Sequence, residues 1–198
     1  MNKEYKIVKP EFGIRLEKYE NYSDDRYFKK GLSLDKFVSP LPEKLTAKIS
    51  KDTYSSPSGK EVYDFINGRS SGLVVSKRAK ELLEAEKGVN AEYVPLTIID
   101  VKGKELEDEF FVVNPLERHE VIDLDKSTLK MSGIDKTQIA PSHDNRIAVK
   151  KAGTFDEFDL LIPEHLQSQL MMSADLINKI EEAGLTNLKV IEPSEYRG

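Results

Sequence analysis

The sequence predicts an α+β fold: an antiparallel or mixed sheet with two similar strand-helix-strand units packed against it. Three observations carry that expectation. Short β-rich runs bounded by Gly and Pro recur along the chain. Two stretches, at about 72–96 and 169–191, share one plan of strand, serine, amphipathic helix, glycine and strand. Hydrophobic residues make up 38% of the 198 positions and cysteine is absent. A core must therefore come from aliphatic packing, and disulfides, thiolate metal sites and a cysteine nucleophile are excluded.

Composition suggests one large domain or two small, closely packed ones. Residues 1–60 form a loop-rich region with an initial strand, expected to pack on a main domain over 61–198. The first strand spans residues 5–8 and ends before Pro10. Residues 17–31 are polar and aromatic with no clean period, and 38–60 are rich in Pro, Gly and Ser. Within the latter, Leu45, Ala47 and Ile49 alternate with polar neighbours, as in a short strand. The stretch 67–72 has the residues of a turn, and 73–75 those of a strand. Ser76 then caps a helix over about 77–87, whose apolar stripe is Ala79, Leu82 and Leu83. Gly88 fits a left-handed position just past its end.

From residue 92 the period shortens. Residues 93–101 and 106–113 flank Lys102-Gly103-Lys104, a hairpin signal with glycine supplying positive φ. Further strands are expected over 120–124, 146–149 and 158–162, while 126–145 lack a pattern. The closing segment repeats the earlier plan: 170–173, a helix over 174–183 with Leu176, Ile177 and Ile180 inward, Gly184, and a strand over 188–191. Ser76 and Ser173 are 97 positions apart, and Gly88 and Gly184 are 96 apart. An internal duplication gives that spacing, and so do two independent uses of common capping chemistry.

Charge narrows the functional classes. The net charge is −5, which disfavours nucleic acid as a direct partner. Residues 1–99 carry 18 basic and 15 acidic side chains, a balance of +3; residues 100–198 carry 12 and 20, a balance of −8. The acidic clusters are Glu105, Glu107, Asp108 and Glu109; Asp123 and Asp125; and Asp156, Glu157 and Asp159. Such clusters solvate a surface and protect strand edges. They also suit a basic protein partner, so these nine residues are the partner-binding candidates. The apolar runs at 110–113 and 160–162 fall far short of the roughly 20 residues of a membrane-spanning helix. No secretory signal is visible at the start, so the expected location is the cytoplasm.

Catalytic constellations are sparse. His119, His143 and His165 do not pair at helical spacing, and no acidic cluster has the ligand spacing of a calcium loop. No metal or cofactor is therefore expected. Ser142, His143 and Asp144 put mixed chemistry in one loop, but a triad also needs a positioned third group and an oxyanion hole, and such residues also make turns. Lys77 and Arg78 at a helix start suit either an anion or solvent.

Three blocks carry a family resemblance. The first is Asp64-Phe65-Ile66-Asn67-Gly68 with the run from Leu73 through Lys77-Arg78-Ala79 to Glu84. The second is Phe110-Phe111-Val112-Val113-Asn114-Pro115-Leu116-Glu117-Arg118 followed by Val121-Ile122-Asp123-Leu124-Asp125-Lys126-Ser127. The third runs from Ser173 to Leu188. Together they resemble the eleventh immunity family of bacterial polymorphic toxin systems, formerly a domain of unknown function, over roughly 60–192. Before the last helix that family often has an Ile-Phe-Arg-like run, where this chain has Phe158-Asp159-Leu160-Leu161-Ile162-Pro163. The resemblance implies a non-enzymatic protein that binds and neutralises a cognate toxin, with no catalytic residues to transfer. The rival expectations are a small hydrolase or transferase around Ser142, His143 and Asp144, and a structural or phage-associated homo-oligomeric module.

Overall fold

The computed structural model describes residues 3–11, 16–17, 44–50, 63–68, 73–132, 138–140, 142–166 and 169–197. The expected loops over 17–31 and 38–60, and the turn over 67–72, lie largely outside these residues. The chain is α+β, and the described residues form two five-stranded mixed sheets, a two-stranded one and two α-helices.

In chain order the strands begin with β1 (Tyr5–Pro10), β2 (Leu45–Lys48), β3 (Phe65–Asn67) and β4 (Leu73–Ser76). Helix α1 (Lys77–Ala85) follows at once, then β5 (Ala91–Ile99), β6 (Phe110–Pro115) and β7 (Arg118–His119). Two short strands, β8 (Met131–Ser132) and β9 (Gln138–Ile139), pair with each other. A 3-10 turn (Thr154–Glu157) leads to β10 (Leu160–Pro163), β11 (Leu170–Ser173), α2 (Ala174–Glu182) and β12 (Leu188–Ile191), with a last 3-10 turn at Pro193–Glu195.

One sheet has the order β2-β5-β6-β4-β3 and the other β12-β1-β11-β10-β7. Most pairs are antiparallel; β2 on β5 and β7 on β10 are parallel. The helix-flanking strands are thus members of the two sheets, not units laid against a separate one. β1, from the first ten residues, is central in its sheet between β11 and β12.

Strands β4, β6, β10 and β11 are buried on both faces, which explains their near-continuous apolar runs. Leu73 and Val75 point to one cluster and Val74 to another, as the two-residue repeat of a strand requires. The central core combines Phe65, Val75, Val113, Val8, Leu160 and Met172 with Ala79 and Leu83 of α1 and Leu176, Ile177 and Ile180 of α2. The outer face of the first sheet carries Ile66, Val74, Leu96 and Phe110. That of the second carries Ile7, Leu161 and Met171, beneath a cap that includes Val121, Ile122, Ile147 and Phe155. Tyr5 anchors this cap: its hydroxyl lies 2.6 Å from the carbonyl oxygens of both Phe155 and Phe158, which share its one proton, and its ring meets Phe155 edge-on.

Several local expectations change. The strands expected over 120–124 and 146–149 reduce to isolated bridges, Ile122 to Val149 and Thr128 to Arg146. Backbone bonds still join the two segments, Asp123 N–H to the Ala148 carbonyl at 2.8 Å and Lys150 N–H to the Val121 carbonyl at 2.9 Å, and side chains supplement them: Asn145, fully buried, accepts from the Lys130 N–H and donates to the Ala140 carbonyl. Gly184 takes the left-handed φ of +64°, but Gly88 does not adopt positive φ. Gly88 serves a close approach, since a Cβ there would lie 2.0 Å from Asp159 Oδ2.

Candidate docking surface

The hairpin end between β5 and β6 holds the densest acidic run, and a tight turn builds it. The Asp100 carboxylate accepts the N–H groups of Lys102 and Lys104, both at 2.8 Å. Gly103 takes φ +84°, and the Asp100 N–H reaches the Lys104 carbonyl at 2.8 Å. Those backbone donors, that of Lys104 first, hold the Asp100 carboxyl below its ordinary range. The turn leaves Val101 53% exposed, the highest value among the large exposed hydrophobics of the described residues. Beyond it Glu105, Glu107, Asp108 and Glu109 are all exposed. Glu105 lies 3.8 Å from Lys44, Glu107 is 3.2 Å from Lys104, and Glu109 is 2.8 Å from Lys77 at the start of α1.

A second acidic turn lies in the cap over the other sheet. The Asp123 carboxylate accepts from Lys126 Nζ at 2.6 Å, and this contact lowers its pKa. Beside it Leu124 is 44% exposed and Asp125 is exposed. The third cluster divides by role. Glu157 is exposed and Asp156 half-buried on the 3-10 turn that buries Phe155. Asp159 faces inward, accepting from Ser173 Oγ at 2.6 Å and pairing with Lys3 at 2.9 Å. Glu105–Glu109 therefore extend from one sheet, whereas the other five candidates belong to segments on the second. Each exposed acidic turn presents one aliphatic side chain among carboxylates, a feature that residue counting missed.

Asp64 is the other residue that sequence reasoning passed over. It is buried, yet its carboxylate accepts from Ser76 Oγ at 2.6 Å, Arg78 Nη2 at 2.8 Å, and the Thr186 N–H and hydroxyl at 3.0 and 3.1 Å. Burial alone would raise its pKa; the donors from Arg78, Ser76 and Thr186 more than offset that and hold it below the usual carboxylate range. With Arg78 on Asp64 and Lys77 on Glu109, both cations at this helix start are engaged within the fold.

The Ser142, His143, Asp144 loop has the geometry of a turn. His143 and Asp144 are exposed, and Ser142 Oγ accepts the Asp144 N–H at 3.3 Å. Among the described residues no three His, Asp or Glu side chains converge as a metal-ligand set. An open groove of about 410 Å³ is lined by Lys3, Lys150 and Lys151 on one hand and Glu4 and Glu192 on the other, a mixed-charge wall with no focus. No helix among the described residues is long and apolar enough to cross a membrane.

Among known families, the model described as the immunity protein family (Imm11) matches residues 10–193. No curated protein matches the chain.

Proposed function

The chain belongs to the Imm11 immunity protein family, and from that membership we propose that it neutralises a cognate toxin by direct protein–protein contact in the cytoplasm of the cell that makes both. The observation that carries this reading is the extent of the match, which runs from Pro10 through Pro193 and takes in α1, α2 and strands β2 to β12, leaving out only β1 before Pro10. Immunity families act against toxins, so the general role is toxin neutralisation. Direct binding requires a rigid scaffold and a complementary surface rather than a nucleophile.

The acidic turns support a basic partner. Glu105, Glu107, Asp108 and Glu109 on one sheet, with Asp123, Asp125, Asp156 and Glu157 over the other, would steer a basic toxin and raise its on-rate. Val101 and Leu124 would supply apolar contact inside the charged rim. Asp159 contributes through the fold that holds these segments in place.

Co-expression with toxins encoded by neighbouring genes tests the proposal. Growth rescue with co-purification is the expected result. A toxic phenotype unaffected by this protein, with no complex on a sizing column, would overturn it.

A further inference from the structure

The two sheets share more than a sequence plan. In each, a hairpin opens with an aspartate and closes with the serine that caps a helix. The Ser76 N–H donates to the Asp64 carbonyl at 2.9 Å, and the Ser173 N–H to the Asp159 carbonyl at 2.9 Å. Both serine hydroxyls donate to the matching carboxylate at 2.6 Å. Each hydroxyl then accepts from the third residue of its helix, Ala79 at 3.3 Å and Leu176 at 3.2 Å. Both helices have nine residues and bury the same two positions, Ala79 and Leu83 in one, Leu176 and Ile180 in the other.

The correspondence continues into a strand that is far away in sequence. The first N–H of α1, on Lys77, donates to the carbonyl of Glu109, the residue before β6. The first N–H of α2, on Ala174, donates to the carbonyl of Glu4, the residue before β1. β6 lies between β4 and β5, with Ser76 opposite Phe110 and Ala91 opposite Pro115. β1 lies between β11 and β12, with Ser173 opposite Tyr5 and Leu188 opposite Pro10. The residue after each strand donates to an asparagine carbonyl, Leu116 to Asn90 at 2.9 Å and Glu11 to Asn187 at 3.0 Å. The two strands also match in character: Phe-Phe-Val-Val-Asn-Pro over 110–115 and Tyr-Lys-Ile-Val-Lys-Pro over 5–10. Each hairpin is moreover held by the loop after the other helix. Asp159 N–H reaches the Gly88 carbonyl at 2.6 Å, and Phe65 N–H the Thr186 carbonyl at 3.3 Å.

We propose that the scaffold is a circularly permuted duplication: one hairpin–helix–two-strand unit occurs twice, and the last strand of the second copy stands ahead of the first copy as β1. β3, β4, α1, β5 and β6 form one copy in chain order; β10, β11, α2, β12 and then β1 form the other. Shared use of capping rules accounts for the serines and glycines, but not for a register that runs through a strand from the opposite end of the chain. This inference is independent of the docking reading, and its test needs no toxin.

The test moves β1 to the place the duplication gives it. In a permuted chain, residues 12–198 are followed by a Gly/Ser linker of about 10 residues, long enough for a modest span, and then residues 3–11. The geometry permits the join, because Lys3 and Glu4 line the same groove as Glu192 and Ser194. The expected result is native circular dichroism and one cooperative thermal transition within about 5 °C of the parent, a shift of the size one modest interaction gives. A second variant, in the original order, replaces residues 5–10 with the sequence of 110–115, beside a control carrying a scrambled version of that hexapeptide. The transplant should fold and the scramble should not. An unfolded permutant beside a folded parent carrying the same linker as a tail, or a transplant no better than its scramble, would overturn the proposal.

Discussion

Asp64 shows how one buried carboxylate ties distant segments together. It joins the start of β3 to the cap of α1 through Ser76 and Arg78, and to the loop after α2 through Thr186. An unpartnered charge there would be costly, and removing the acceptor leaves several oriented donors without a partner. Asp64→Ala should therefore destabilise the protein by about 2–3 kcal/mol, measured by urea unfolding at neutral pH. The pH dependence has a definite sign. Its folded-state pKa is depressed, so the stabilisation is present above the unfolded value near pH 4 and is lost as pH falls through the depressed value. Asp64→Ala should flatten the stability profile in that acid window; an unchanged slope would show that Asp64 does not govern it.

At the scale of elements, the two glycines that follow the helices do different jobs. Gly88→Ala would drive a Cβ to 2.0 Å from an Asp159 carboxylate already held by Ser173 and Lys3. A cost of about 1–3 kcal/mol is expected. Gly184→Ala meets nothing within 4 Å and pays only for its left-handed φ, about 1–2 kcal/mol. Adding Asp159→Ala to each variant separates the mechanisms in thermal melts: it should relieve much of the Gly88→Ala penalty and none of the Gly184→Ala penalty. The same contrast shows what was legible in the sequence. Ser76, Ser173, both helices, Gly184 and the hairpin turn at Gly103 were readable because capping and turn chemistry are local. β3 was missed because its three residues take their strand form from pairing with β4. The expected strands over 120–124 and 146–149 shrank to isolated bridges: a few backbone bonds join them, but the Ala148 N–H goes to Ser127 Oγ and the ladder does not extend. The acidic candidates were visible as composition, but their division between two sheets is a fact of topology.

For the whole molecule, the central core draws on both sheets and both helices, so the two halves should unfold together. The surface that meets a toxin would then be rigid at its base and would act mainly through charge and a few apolar contacts. Replacing Glu105, Glu107, Asp108 and Glu109 by their neutral amides should slow association with a basic toxin about 10-fold or more at low salt, with a smaller effect at high salt. Stopped-flow mixing at two ionic strengths checks this; an unchanged on-rate would place the contact elsewhere. The interior also sets a limit at the alkaline end. Burial pushes the phenols of Tyr5, Tyr93 and Tyr196 upward, and Asp156 and Asp159 add to the effect at Tyr5. The native state thus holds these protons where an unfolded chain would release them, so stability falls as pH climbs past about 10. Phenolate absorbance from these rings should appear as a delayed step, in time with the loss of circular dichroism, making the protein its own spectroscopic clock for base-induced collapse.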